Sequence, residues 1–407
     1  MKIAFNAIRV SNKAGSGFDT FIINFINTFA KYIYSEFQTP NSELYFDVYT
    51  LYPYHFPEVK KEDIKHIKIP FLSWRRNTKS QRTSNSIGNK QQTKKIFSFL
   101  TPIYYLLSTI YCLFGDYFRM FWTQFIFPFY ALRYDLVISL TEYEASVFFS
   151  KRQIIIMHSV VLFLFRNFPK KYKLYVSFLL PEILKKCRKI IVVSETLKSQ
   201  LQQIFSIPED KIFVLYEGVD TQKFRPASKE EILEFKKELN LPNRYVLMVG
   251  HSHPVKNFSR ILESFKYVKE KIHCELVIAG YIGKNLKLPL YVRYVGHVTN
   301  EKLYLLYSAA ECFVFASLYE GFGLPPLEAM ACGCPVVVSN SGSLPEVCGD
   351  AAIYVDPYNP KDIAEGIIKV LSNETLRQEL IKRGFKQIKK FTWEKSAQRF
   401  MELLKNI

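Results

Sequence analysis

The sequence predicts an α/β fold built as two doubly wound, Rossmann-like domains, each a parallel sheet covered by helices. Three observations carry this. The chain has 407 residues, more than one hydrophobic core usually organises. Apolar runs of strand length alternate with helical stretches along most of it, the pattern of parallel strands joined by crossover helices. A polar segment that ends in proline, Gly218-Val-Asp-Thr-Gln-Lys-Phe-Arg-Pro226, separates the halves and suits a hinge. The expected division is therefore residues 1–218, residues 226–391 and a C-terminal helix at 392–407. With 48% apolar residues the chain can fill two ordinary cores.

In the first half, strands are expected near 2–6, 44–49, 136–140, 153–157, 189–193 and 212–215. Helices are expected near 18–32, 172–187 and 195–205. In the second half, strands fall near 245–249, 275–279, 312–315, 335–338 and 352–355. Helices there occupy the gaps, among them 257–270, 301–309 and 360–371. The stretch from Trp393 to Leu404 is an amphipathic helix beyond the last strand of the second domain. No repeat of solenoid period occurs. The chain opens directly on a strand, so no signal peptide is expected ahead of the fold, and the catalytic part is expected in the cytosol.

The seven cysteines (112, 187, 274, 312, 332, 334 and 348) are scattered, mostly in apolar runs. Cys332 and Cys334 alone are close, and Cys-x-Cys lacks further ligands for zinc. Buried free thiols in a reducing compartment are the expectation. His253, His273 and His297 have no metal-ligand spacing, and no metal is expected.

Net charge is +18 and uneven. Residues 1–240 carry 34 Lys and Arg against 21 Asp and Glu, and residues 241–407 carry 21 against 16. Nucleic acid is one partner for such charge, but no nucleic-acid motif occurs. An anionic membrane surface fits better, because the basic side chains flank unusual apolar stretches. Residues 74–95 hold seven basic residues and no acid, and read as a mobile loop. Residues 96–114 follow without a formal charge, then 117–132, almost entirely aromatic and aliphatic. Nineteen uncharged residues just reach a membrane span. Pro102 and the hydroxyl groups argue against one. Helices in the membrane interface, core helices and a true span all remain open, the first preferred.

The chemistry concentrates in Glu320-Gly-Phe-Gly-Leu-Pro-Pro-Leu-Glu328-Ala-Met-Ala-Cys-Gly-Cys-Pro335. An apolar strand precedes a glycine turn, and Pro325 and Pro326 suit the first turn of a short helix that Gly333 can cap. Unpaired N–H groups and the helix dipole then point at one spot, an anion site. Glu320 lies at its rim, and Glu328 about two turns along. A ligand with phosphate in its middle and hydroxyls at both ends satisfies both acids, and a nucleotide sugar has that shape.

This string resembles the E-x7-E signature of retaining GT-B glycosyltransferases of family 4. The resemblance extends to Val249-Gly-His-Ser-His-Pro-Val-Lys-Asn257, Glu275-Leu-Val-Ile-Ala-Gly280 and Ser341-Gly-Ser-Leu-Pro-Glu-Val347. It also takes in Ile156-Met-His158, Ile191-Val-Val-Ser-Glu195 and Gly218-Val-Asp220, and covers most of the chain outside residues 52–132. It implies a GT-B fold with two domains facing across a cleft, and a hexosyltransferase that uses a nucleoside diphosphate sugar.

By resemblance, Glu320 contacts hydroxyls of the donor sugar and Glu328 those of the ribose. Gly321, Phe322, Gly323 and Leu324 offer N–H groups to phosphate and sugar, and Lys256 neutralises the departing diphosphate. His158 faces the donor sugar. Gly15 and Gly17 form a loop beside acceptor and donor phosphate. Where many members have arginine after the glycine matched by Gly250, this chain has His251, a weaker hydrogen-bond donor unless other groups complete the clamp. Ser159 also departs from a frequent aspartate. Glu195 reads as a first-turn helix acid rather than a catalyst.

The expected activity is transfer of a hexose, with retention, to a glycan or lipid-linked hydroxyl in cell-surface polysaccharide or glycolipid synthesis. The donor is expected to be GDP-mannose or a UDP-hexose, with no cofactor and no nucleic acid. The protein is expected on the inner face of the plasma membrane. A nucleotide-sugar epimerase, a phosphorylase and a non-catalytic subunit of glycan synthesis are the alternatives on the same architecture.

Overall fold

The structure is a computed structural model, and it describes residues 1–7, 17–36, 44–50, 56–66, 120–165, 175–251, 253–282, 288–299 and 301–407. Gly15, the basic run 74–95 and the uncharged run 96–114 lie outside the described residues.

Two parallel sheets organise the chain. Strands β1 (Lys2–Asn6), β2 (Tyr45–Thr50), β3 (Ile64–His66), β4 (Leu136–Ser139), β5 (Gln153–Met157), β6 (Lys189–Val192) and β7 (Ile212–Val214) lie in the order β3-β2-β1-β4-β5-β6-β7. Strands β8 (Tyr245–His251), β9 (Glu275–Tyr281), β10 (Val292–Gly296), β11 (Cys312–Phe315), β12 (Val336–Ser339) and β13 (Ala352–Val355) lie in the order β10-β9-β8-β11-β12-β13. Each registered pair in the second sheet is parallel. The expected α/β class and doubly wound sheets are what the chain adopts.

Backbone contacts group the chain into two compact units. One comprises Met1–Ile156 with Phe168–Ile190, the other Met157–Asn167 with Ile191–Ile407. The sequence reading sets its domain boundary at the polar segment 218–226.

In the first unit the helix Gly17–Glu36 repeats apolar residues at helical spacing. Phe21, Phe25 and Phe29 are fully buried, and Phe29 meets Phe5 of β1 edge-on at 5.4 Å. Residues 120–131 form a helical stretch with a π-turn at Trp122–Ile126 and an α-helix at Phe127–Ala131. Trp122, Phe127 and Ala131 pack with Ala4, Tyr49 and Val137. Phe121, Phe125, Phe129 and Leu132 point outward. Of the stretch 96–132 expected as interfacial, core or spanning, the described part, 120–132, is core on one face and open on the other. Among the described residues no helix is long and apolar enough to cross a membrane.

In the second unit, the helices Phe258–Lys271 and Pro360–Ser372 cover the sheet. Phe258, Ile261, Phe265, Ile363 and Ile367 pack on Met248, Ile278 and Val337. The C-terminal helix Trp393–Lys405 lies against the β7 segment: Ser396 Oγ donates to the Tyr216 carbonyl oxygen at 2.5 Å and Arg399 Nε to that of Val214 at 2.9 Å. The six described cysteines are free and buried.

Candidate active site

In the second sheet the winding reverses between β8 and β11. Loops leaving the carboxyl ends of two such strands diverge and leave a crevice where ligands of doubly wound sheets bind. Lys256 ends the short turn Pro254–Lys256 after β8, and Glu320 lies in the loop after β11. Though 64 positions apart they meet, Lys256 Nζ donating to Glu320 Oε1 at 2.7 Å. Their side chains are 23% and 13% exposed. The Lys256 ammonium also stands 5.0 Å from the Phe315 ring centroid, a cation–π contact.

Asn257 holds this geometry. It adopts a left-handed conformation (φ 57°) and is buried. Its Nδ2 donates to the carbonyl oxygens of Ala316 at 2.9 Å and Pro357 at 2.6 Å, tying the turn after β8 to the ends of β11 and β13.

The loop from Glu320 to Gly323 is fixed from three sides. Ser341 Oγ donates to the Leu318 carbonyl oxygen at 2.7 Å. Ser343 donates from Oγ to those of Glu320, at 3.1 Å, and Phe322. Ser194 Oγ donates to that of Gly321 at 2.8 Å. A Cβ on Gly321 would sit 1.8 Å from the His158 carbonyl oxygen, so only glycine fits that approach. Gly323, at φ 117°, then turns the chain into the helix Leu324–Ala331, with prolines in its first turn. That helix ends as expected at Gly333. Cys334 N donates to Ala329 O and Gly333 N to Met330 O, a Schellman motif.

Glu328 sits on this helix, and Tyr307 Oη donates to its Oε2 at 3.2 Å. Burial pushes the Glu328 carboxyl up to about 7, the Tyr307 bond and the nearby Lys223 opposing and Glu217 adding to the effect.

His158 follows β5 and is 8% exposed. Its Nδ1 lies 3.3 Å from Glu217 Oε1, a carboxylate only 6% exposed. His251 closes β8, where Gly250 pairs with Gly280 of β9. The His253 backbone N–H donates to His251 Nδ1 at 3.3 Å. Desolvation, then the Lys256 charge, hold the His251 imidazolium below the usual histidine range. Because Nδ1 accepts the His253 N–H, Nε2 is the donor position of the ring.

Gly17 begins the helix Gly17–Glu36, and its partner in the proposed loop, Gly15, is outside the described residues. Glu195 is in the first turn of the helix Glu195–Phe205, capped by Ser194. Glu346 adds a second cap, accepting from the N–H groups of Glu195 at 2.8 Å and Thr196 at 2.9 Å. Among the described residues, no three of His, Cys, Asp and Glu gather as metal ligands would.

The profile of the glycosyl transferases group 1 matches residues 229–387, and that of glycosyltransferase family 4 matches residues 94–223. The O-antigen chain mannosyltransferase B of Escherichia coli is 34% identical over 258 residues, 60% of this chain and 68% of that protein. The chain belongs to the group 1 glycosyl transferases. Two solved structures share its fold throughout. A sucrose-phosphate synthase from Thermosynechococcus elongatus aligns with a TM-score of 0.69 at 18% identity, covering all of this chain and 98% of the other. Anabaena HepE, solved with UDP and glucose, gives 0.67 at 16%, with both chains fully covered. The glycosyltransferase is thus an enzyme of GT-B fold.

Within this glycosyltransferase, Glu217, Tyr307, Ser343 and Glu346 are site-supporting residues that sequence reasoning did not single out. Glu217 stands directly before the polar segment read as a hinge, where a solvated acid is ordinary. Its pairing with His158 spans 59 positions, and no local pattern signals it.

Proposed function

We propose that this glycosyltransferase moves a hexose, mannose first among candidates, from a nucleoside diphosphate sugar to a hydroxyl of a glycan or lipid-linked acceptor. The observation that supports this most is the meeting of Lys256 and Glu320 beyond β8 and β11, with Glu328 on the helix that follows. Glu320 takes hydroxyls of the donor hexose, and Glu328 those of the ribose. Lys256 and the N–H groups from Gly321 to Leu324 and of His251 stabilise the diphosphate charge, with no metal. His158, oriented by Glu217, faces the sugar.

The transfer retains configuration. The acceptor oxygen bonds to the anomeric carbon on the face that the diphosphate oxygen leaves, and the acceptor proton passes to that departing phosphate. Catalysis is then mostly orientation and charge stabilisation. The E. coli relative is named for O-antigen mannose transfer, which supports cell-surface polysaccharide or glycolipid synthesis, with the protein peripheral on the cytoplasmic face of the membrane.

Calorimetry against a panel of GDP- and UDP-hexoses, followed by acceptor-dependent nucleotide release, tests this reading. GDP-mannose is expected to bind most tightly. Glu320→Gln and Lys256→Ala are expected to lower turnover by at least about 100-fold, while Glu328→Gln mainly weakens nucleotide affinity. Near-normal turnover and affinity in both glutamate variants overturn the site. Nucleotide release that needs no acceptor overturns the transfer.

A further inference from the structure

The outward face of residues 120–132 poses a separate problem. Trp122, Phe127 and Ala131 anchor one face of this stretch in the core, and the opposite face takes no part in that cluster. Yet that face carries Phe121, Phe125, Phe129 and Leu132, at helical spacing and largely exposed, with Phe125 at 56% and Phe129 at 72%. Phe148, on the following loop and also exposed, extends the cluster, its ring 6.3 Å from that of Phe125. A soluble helix that is apolar all round has a partner on its second face.

The face is concave. Phe125, Phe129, Leu132, Phe148 and Phe149 line a pocket of about 610 Å³, within the range of lipid- or drug-sized sites. Gln124, on its wall, is fixed by donation to the Ala145 carbonyl oxygen at 2.7 Å, so the wall is braced. Among the described residues that line it, the charged groups are Lys151 and Arg152, both exposed, with no acid beside them. Arg133 lines the neighbouring hollow with Phe125 and Phe129. Apolar walls with these cations at the rim complement an aliphatic chain that ends in an anionic head group.

We propose that this pocket takes an acyl chain of an anionic membrane phospholipid, with Lys151 and Arg152 on its phosphate. The chain fills the hollow between Phe125, Phe129 and Phe148, and the head group remains at the rim. This deepens the membrane association of the proposed function and is separable from the transfer chemistry, because the described residues that line the pocket all fall within 124–152 of the first unit.

The test uses the full chain and a phosphatidylglycerol with two six-carbon chains, held below its micelle concentration. Calorimetry is expected to show saturable one-to-one binding. Phe125→Ser with Phe129→Ser is expected to weaken it at least about tenfold, the loss of two large apolar contacts. Lys151→Gln with Arg152→Gln is expected to weaken it and to remove most of its salt dependence. Both pairs alter exposed side chains, and an unchanged melting temperature and unchanged nucleotide affinity verify that each variant is folded. Vesicles of equal phosphatidylglycerol and phosphatidylcholine are expected to retain the wild type and release the phenylalanine pair.

Three outcomes overturn the proposal. Equal affinity for the matching phosphatidylcholine removes the anionic head group. Displacement of the lipid by equimolar polyprenyl phosphate assigns the pocket to the carrier chain of an acceptor instead. Absence of binding in the wild type means that the pocket is closed in solution.

Discussion

Glu328 has the most perturbed carboxyl of the candidate site, and its chemistry predicts a pH effect. Burial pushes it up to about 7 from an ordinary value of 4.5. The folded protein therefore binds more protons than the unfolded chain between those values. Its contribution to stability is fully present below about pH 4.5 and is lost as pH rises through about 7. A carboxylate that accepts two ribose hydroxyls favours its ionised form, so nucleotide binding should expel a proton near neutrality. Calorimetry at pH 7 in buffers of different ionisation enthalpy is expected to show this release, and Glu328→Gln to abolish it. Proton uptake, or release that survives the substitution, would detach Glu328 from the ribose. At this scale the sequence was partly legible. Glu320, Glu328 and Lys256 stand in strings whose residue types suit phosphate and hydroxyl chemistry. Glu217 does not, because a carboxylate beside a polar turn is ordinary until the fold buries it against His158.

Strand, loop and helix act here as one rigid device, and the loop after β11 shows how it is held. Three serine hydroxyls occupy its carbonyls, and Gly321 allows His158 to approach where no side chain fits. Gly321→Ala forces backbone apart, at a cost of about 1–3 kcal/mol, and shifts Glu320 with it. Turnover is expected to fall at least about tenfold, since small misplacements of positioned groups are expensive. Gly333→Ala strains the left-handed cap of the same helix, φ 74°, at about 1 kcal/mol, and is expected to lower the melting temperature with turnover retained. Equal kinetic effects from the two substitutions would show that the loop is not positioned by this close approach. Most elements of the second unit were readable to within one or two residues, because β8, β9 and β11 are uninterrupted apolar runs between turns. β10 (Val292–Gly296) was not, since a half-exposed edge strand lacks that run. The helix Glu374–Ile388 hides for a related reason, with few residues buried along a mostly polar sequence.

The whole molecule repeats one plan, since β1 to β6 and β8 to β13 follow the same strand order within their sheets. The alternation of elements predicted two such sheets, but strand order arises from pairings between distant segments and could not be read from the sequence. The plan bears on how charge is handled. In the second unit the reversal between β8 and β11 brings Lys256 and the start of the helix Leu324–Ala331 to the same end of the sheet. A lysine and a helix N-terminus supply fixed positive charge and N–H donors, which is the service a divalent cation otherwise performs for a departing diphosphate. The second half of the sequence also lacks an Asp-x-Asp string, the short acidic pattern that would hold such a cation between phosphates. Turnover is therefore expected to be unchanged after dialysis against a chelator, whereas Lys256→Ala is expected to lower it. The informative comparison adds Mg²⁺ or Mn²⁺ back to both proteins. No stimulation of the wild type and no rescue of Lys256→Ala are expected, because the lysine stands at a fixed place in the site and, among the described residues, no three of His, Cys, Asp and Glu gather to hold a cation there. Loss of activity on chelation, restored by either ion, would overturn this division of labour and move the diphosphate charge from the chain to a metal.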